Sequence, residues 1–261
     1  MARLFGSRLT RREALGAGGM AGAGLLLGCG SGGGTGASSP ATSAAASATS
    51  TEARMPACVL APEQEEGPFY VDLERVRDDI VDGRPGLPLR LRVHVVDART
   101  CEPLRSAAVD VWHCDALGSY SDEPSEGTTG QTYLRGTQIT DPAGVVEFRT
   151  IFPGHYQGRT THIHVKVHVG GQVSGGRYTG GRVSHTGQFF TPDAINSEVY
   201  GHPPYARDTA PIVTHGEDMV YTQQQGSSGE LTMRKLGRSA GGGYLAAITV
   251  GVDPGSAAVR D

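Results

Sequence analysis

The clearest hydrophobic pattern in the chain begins at Leu89, where apolar and polar residues start to alternate. The apolar positions are Leu89, Leu91, Val93 and Val95, with arginine or histidine between them. Because successive side chains of a strand point to opposite faces, this alternation predicts a strand with one buried face.

Several other short segments also have the character of strands, and turns rich in Gly and Pro separate them. One such turn is Asp141-Pro142-Ala143-Gly144. Short strands punctuated in this way are typical of a sandwich of two sheets. We therefore predict an all-β fold, an antiparallel β-sandwich with long loops. The further predicted strands are 108–114, 145–150, 162–169, 187–191 and 244–252.

The N-terminal segment 1–28 has the features of a targeting signal. Arg11 and Arg12 precede a stretch rich in Gly, Ala and Leu, which ends at Cys29. The segment resembles a twin-arginine export signal that ends in a bacterial lipobox. The stretch is too short and too rich in glycine for a good membrane-spanning helix. The general export route stays open, because Glu13 follows the arginine pair without a bulky apolar residue.

This signal predicts an exported protein whose lipid is attached to Cys29. It would be held at the outer face of the cytoplasmic membrane or at the cell surface, with no other membrane contact. Residues 29–55 are mostly Gly, Ser, Thr and Ala, a composition that cannot bury enough apolar surface to fold. We interpret this segment as a disordered tether and residues 56–261 as one folded domain.

Charge and cysteine content narrow the choice of ligands. The net charge of −4 and the absence of a basic stripe argue against nucleic acid as a partner. In an oxidising compartment two of Cys58, Cys101 and Cys114 would pair, but the sequence does not say which two. No pair has Cys-x-x-Cys spacing, which argues against a zinc or iron–sulfur site built on thiolates.

The candidate chemistry centres on His162 and His164, which share one face of a predicted strand. Residues two apart on a strand lie about 6.5 to 7 Å apart, so both imidazoles can reach one ion. A solvated polar face that happens to carry histidine is the simpler alternative. However, Tyr156 lies just upstream, and Tyr120 follows the strand predicted at 108–114. Two imidazoles and two phenolates form a hard, anionic donor set that favours trivalent iron over zinc or copper.

Six short segments occur in the same order as in a known enzyme family. Together they resemble the intradiol dioxygenases related to protocatechuate, catechol and hydroxyquinol dioxygenases. The segments are PEQEEGPFY at 62–70, VDVWHCDALGSY at 109–120, DPAG at 141–144, PGHY at 153–156, RTTHIH at 159–164 and GQFF at 187–190.

The resemblance implies an Fe(3+) enzyme that uses O2 to cleave catechol-type aromatic diols between their two hydroxylated carbons, giving muconate-type diacids. It implies four iron ligands, namely Tyr120, Tyr156, His162 and His164. It also implies that Tyr156, Arg159 and Gln188 are catalytic. The substrate would lie against Arg159, Gln188, Gly67 and Pro68.

Other residues carry simpler interpretations. We expect Trp112 to pack in the core or a pocket wall, and His113 and His185 to be structural. The acidic run 63–66 is most simply a solvated loop. A glycine-rich insert around 170–181 lengthens the interval between His164 and Gln188 relative to the family.

Two alternatives to an enzyme stay open at this point. One is a lipid-anchored protein that binds ferric iron or catechols without turnover, and the other is a β-sandwich binding module. The sequence also leaves open the identity of the diol and whether the chain forms a homo-oligomer.

Overall fold

A computed structural model describes residues 58–258 of the chain. The predicted export signal, the lipidation site Cys29 and the tether lie outside the described residues. Within the described range, none of the helices has the length and apolar character needed to cross a membrane.

Eight strands and two α-helices make up the regular structure of the described residues. Two of the strands and both helices were not predicted from the sequence, and one further strand was predicted only over its second half. The strands are β1 (Pro88–Asp97), β2 (Ala108–Trp112), β3 (Arg135–Ile139), β4 (Val145–Ile151), β5 (His162–Ser174), β6 (Arg177–Phe190), β7 (Thr232–Lys235) and β8 (Tyr244–Val252), and the helices are α1 (Asp193–Tyr200) and α2 (Met219–Gln223).

The strands form two four-stranded sheets, which confirms the predicted all-β sandwich. One sheet has the order β4-β1-β8-β7 and the other the order β3-β2-β5-β6. Five of the six pairings between the described strands are antiparallel, and β1 pairs with β8 in parallel. The local alternation pattern indicates a strand but not the direction of its neighbour, so this parallel pair could not be read from the sequence.

The core lies between the sheets and explains the alternation in β1. Leu89, Leu91, Val93 and Val95 are buried there together with apolar residues of the second sheet. On β5 the odd-numbered residues from Ile163 to Val167 point into this core. The even-numbered residues of β5 therefore lie on the outer face of the second sheet.

That outer face is not solvated, although it carries polar side chains. His162, His164, Lys166 and His168 are each at most 7% exposed. A second cluster of buried residues covers part of the face, and it is formed by Trp112, Cys114 and Tyr120 with Phe69, Tyr70 and Tyr156 packed against it. Loops thus enclose a polar layer on the outside of the sandwich.

The glycine-rich insert extends a hairpin. It lengthens β5 and β6, which stay paired from His162↔Phe190 to Ser174↔Arg177. The segment before β1 holds the far end of the hairpin, because Tyr178 N donates to Glu74 O at 2.9 Å and Val76 N to Gly176 O at 2.9 Å. The insert therefore adds a supported β-ribbon.

The cysteine pairing left open by the sequence is decided by the fold. Cys58 and Cys101 form a disulfide across 43 residues, while Cys114 is buried and pairs with neither. A cross-link of this span stabilises the folded state by about 4 kcal/mol if its effect is mainly on the entropy of the unfolded chain. The bond attaches the start of the described domain to the turn after β1.

Candidate active site

Three of the four predicted metal ligands meet at one point. Tyr156 Oη and His164 Nε2 each lie 3.1 Å from His162 Nε2. The ring of Tyr120 lies beside them, with centroid distances of 5.7 Å to Tyr156 and 6.3 Å to His164. Three of these side chains are almost fully buried and Tyr156 is half-buried. The structure thus brings together all four residues that the sequence singled out.

Strand pairing sets this arrangement. His162 and His164 open β5, and β2 and β6 flank that end of the strand. In the register, His164 is paired with Trp112 on one side and with Gln188 on the other. The Trp112 ring stacks on the His164 ring at 4.9 Å with an interplanar angle of 8°. As expected for a wall residue, Trp112 holds the imidazole in place.

A hydrogen bond made by His162 determines which of its two ring nitrogens keeps a free lone pair. His162 Nδ1 lies 2.7 Å from the carbonyl oxygen of Thr160, so Nδ1 carries the proton and donates. Its Nε2 therefore presents a lone pair toward Tyr156 and His164. Burial lowers the pKa of both histidines well below the usual value, which keeps the rings neutral. A neutral imidazole with a free lone pair is the form of histidine that binds metal ions.

The two phenols need a positive charge to ionise. Burial, and next the neighbouring Tyr156, raise the pKa of Tyr120 well above its usual value. Burial raises the pKa of Tyr156 to about 12, although the charge of Arg159 opposes this rise. Tyr120 Oη is also buried without a hydrogen-bond partner among the described residues. A bound metal cation would satisfy this oxygen and ionise both phenols, so the donor set fits a metal ion.

Arg159 and Gln188 meet beside this cluster. Arg159 Nη2 donates to Gln188 Oε1. Gln188 Nε2 in turn donates to the carbonyl oxygen of Glu65 at 3.0 Å. Arg159 closes a tight turn that begins at Tyr156, since its N–H donates to Tyr156 O at 3.1 Å. One cation and one amide, the two residues that the resemblance singled out, thus lie beside the four predicted ligands.

Gly67 and Pro68 belong to a segment that covers the cluster. Gly67 has a φ of +73°, and a Cβ at this position would lie 3.2 Å from His164 Cε1. Phe69 stacks on Tyr120 with a centroid distance of 4.3 Å, whereas Pro68 is exposed. The positive φ and the tight approach to the imidazole both favour glycine at this position.

Residues 63–66 form a loop whose glutamates are partly exposed, as interpreted, but the loop is packed against the domain rather than free in solvent. Gln64 is only 7% exposed, and its Oε1 accepts from Gln188 N at 2.7 Å. Glu66 pairs with Lys166 at 2.5 Å on the outer face of β5. The run packs along β6 because its side chains find partners on β5 and β6, contacts that its acidic composition does not reveal.

Two histidines are structural, as predicted. His113 is hydrogen-bonded to Cys114 O at 2.7 Å and to Thr150 Oγ1 at 2.8 Å. His185 Nδ1 lies 2.9 Å from Glu63 Oε1. Neither is among the side chains that meet at His162 Nε2.

Sequence reasoning missed Asp218, a fully buried carboxylate that contacts Arg159. The signal available was weak. Asp218 immediately precedes α2 and is a good helix-capping residue, but that pattern says nothing about a partner 59 residues earlier. Phe69 was part of a recognised segment, but its stacking on Tyr120 was not predicted.

This chain is similar in sequence and in fold to known dioxygenases. The family model described as "Dioxygenase" matches residues 64–173. An intradiol ring-cleavage dioxygenase from Tetranychus urticae is 30% identical, with a TM-score of 0.69 over 77% of this chain and 97% of that chain. The dioxygenase domain of a carbohydrate-binding fusion protein from Streptomyces sp. SirexAA-E is 27% identical, with a TM-score of 0.52 over 74% of this chain and 98% of that one.

A curated relative gives a more local match. Catechol 1,2-dioxygenase 1 of Acinetobacter lwoffii is 33% identical over 110 residues, which are 39% of this chain and 35% of that protein. The match thus spans about a third of the length of the curated relative.

Proposed function

This chain belongs to the intradiol ring-cleavage dioxygenase family, and we propose that it uses O2 to cleave catechol-type aromatic diols between their hydroxylated carbons. The observation that carries the proposal is the convergence of Tyr156, His162 and His164 beside Tyr120. A pure binding module has no need for two phenols and two neutral imidazoles around one point. The product would be a muconate-type diacid.

We propose Fe(3+) as the metal and Tyr120, Tyr156, His162 and His164 as its ligands. Two phenolates make this donor set hard and anionic, which suits a trivalent ion. When bound, ferric iron would supply the charge that ionises the phenols and the unpaired electrons that allow triplet oxygen to react with the diol.

The protein's own residues would handle protons and charge. Tyr156 is the least buried of the four ligands, so its Oη is the best placed to take a proton from a diol hydroxyl. Arg159 would stabilise the negative charge that develops on the ring during cleavage, where a preorganised cation contributes most. Gln188 would hold Arg159 in this position through the hydrogen bond to its Oε1.

Metal content, colour and oxygen uptake together test this proposal. We expect the purified protein to hold one iron per chain and to absorb visible light, because phenolate electrons can be promoted into half-filled iron d orbitals. It should consume oxygen with at least one member of a panel containing catechol, protocatechuate, hydroxyquinol and larger aromatic diols. A colourless protein with stoichiometric zinc would contradict the proposal, since zinc has a full d shell. A coloured protein that consumes no oxygen would instead indicate a ferric or diol carrier.

We also propose that the protein works outside the cytoplasm, anchored through a lipid on Cys29. The disulfide between Cys58 and Cys101 supports this location, because such bonds persist in oxidising compartments. Replacing Cys29 with serine should move the protein from the membrane fraction to the soluble one. Unchanged partitioning of Cys29→Ser would contradict the lipid anchor.

A further inference from the structure

Asp218 makes a dense set of contacts at the candidate site. Its side chain is fully buried. Oδ2 accepts from Arg159 Nε at 3.0 Å and from the backbone N–H of Thr160 at 2.9 Å. One carboxylate oxygen thus holds both the side chain of Arg159 and the backbone that follows it.

The other oxygen of the same carboxylate caps α2. Oδ1 accepts from the backbone N–H groups of Val220 at 2.8 Å and Tyr221 at 3.1 Å. These are the N–H groups that lack partners at the start of a helix. Asp218 therefore joins the α2 segment to the turn that carries Tyr156 and Arg159.

The orientation of the Arg159 side chain depends on its contact with Asp218. Its side chain is 14% exposed, and a long arginine loses considerable rotamer freedom when it is held in place. Its Nη1 lies 3.8 Å from the half-exposed carboxylate of Glu65, which is too far for a hydrogen bond. The ordered contacts of the guanidinium are therefore Asp218 at Nε and Gln188 at Nη2.

We propose that Asp218 is a positioning residue for the ring-cleavage reaction, acting through Arg159. The proposal rests on the function assigned above. By fixing Nε, the carboxylate directs Nη2 of Arg159 toward Gln188, which lies beside the four proposed ligands. The same carboxylate also fixes Thr160, whose carbonyl oxygen accepts from His162 Nδ1. Asp218 thus links Arg159 and a proposed metal ligand to one buried anchor.

The variant Asp218→Asn tests this role without removing the helix cap. Asparagine caps helices as well as aspartate does, so Oδ1 can keep its two backbone partners. Its amide group, however, places N–H donors where Arg159 Nε and Thr160 N also donate. We expect the variant to keep its iron and its fold, and kcat to fall about 10- to 100-fold, the scale of a misplaced catalytic group. The dissociation constant of the diol under anaerobic conditions should change less.

The matched control is Glu217→Gln, the same chemical change at the neighbouring residue. Glu217 is exposed, and among residues 58–258 its carboxylate accepts only from Thr214, so kcat should stay at the wild-type value. The direction in which kcat of Asp218→Asn changes distinguishes a positioning role from simple neutralisation of the Arg159 charge. If Asp218 merely offset the charge of Arg159, its removal would strengthen the attraction for the developing anion and raise the rate. An unchanged or increased kcat in Asp218→Asn would overturn the proposal.

A double-mutant cycle shows whether Asp218 acts through Arg159. In an Arg159→Lys background, Asp218→Asn should have little further effect on kcat, because the positioned guanidinium is already gone. Full additivity of the two changes would overturn the proposal.

Crystal structures test the geometry independently of turnover. Arg159 should lose its contact with Gln188 in Asp218→Asn and keep it in Glu217→Gln. An unmoved Arg159 would refute the positioning role, even for an active enzyme. Failure of the wild-type protein to consume oxygen would instead refute the proposed function, and the two structures would still decide the positioning role.

Discussion

Replacing His162 and His164 together with alanine is expected to abolish iron binding, visible colour and turnover. The change removes two of the four proposed ligands, including the nitrogen around which Tyr156 and His164 meet. Without the metal, both phenols would return to their protonated state, because burial raises the pKa of Tyr120 and of Tyr156. Metal analysis and absorption spectra of the purified variant measure the loss directly.

His168→Ala is the matched control for this double change. His168 lies on the same strand and the same face, is only 5% exposed, and is not part of the ligand cluster. The control should lose stability, as expected for truncation of a buried side chain, but retain one iron per chain. Stoichiometric iron in the double variant would show that the ligand set is wrong. Thermal unfolding of all three proteins separates loss of ligands from loss of fold.

The second large effect is expected for Arg159→Leu, which should keep its iron and lose most of its turnover. Removing one preorganised group that stabilises charge in a transition state costs at least about 2.7 kcal/mol, or roughly a hundredfold in kcat. The measurement is kcat and kcat/KM by oxygen uptake, with iron content determined on the same samples. Arg182→Leu, an exposed change on β6, should have little effect.

The change Arg159→Leu should also lower the stability of the fold. Leucine at position 159 would leave the buried carboxylate of Asp218 without its cationic partner, a loss of about 3 to 5 kcal/mol. Arg159→Lys avoids this problem, because the ammonium keeps a charge near Asp218 but lacks the rigid fork that also reaches Gln188. We expect Arg159→Lys to fold and bind iron with strongly reduced kcat. Normal kcat in Arg159→Lys, or iron loss that accounts for the whole defect, would show that the role of Arg159 is misassigned.

Local sequence patterns were sufficient to predict much of the fold. Strand alternation at β1, and turns such as the one at 141–144, led to a sandwich, because side-chain direction repeats every two residues and turn chemistry is short-range. The pattern failed for β3, β7 and the first half of β6. Those segments are polar or rich in glycine, and their pairing depends on the neighbouring strands.

The sequence by itself also determined the face on which His162 and His164 lie, and the family resemblance added Tyr120, Tyr156, Arg159 and Gln188. Side chains two residues apart on a strand point to the same face whatever the strand packs against, so this property can be read from the sequence alone. Gly67 belongs to this group as well, since its place in a recognised segment predicted its position at the site.

Only the tertiary structure decided the remaining features. It showed that the face bearing the histidines is buried, that Cys58 pairs with Cys101, and that residues 63–66 pack along β6. It also placed Asp218 against Arg159, 59 residues away. The physical reason is common to all of these features. Each depends on contacts between segments far apart in the chain, and the energies that select those contacts arise from packing and desolvation, which no local pattern encodes.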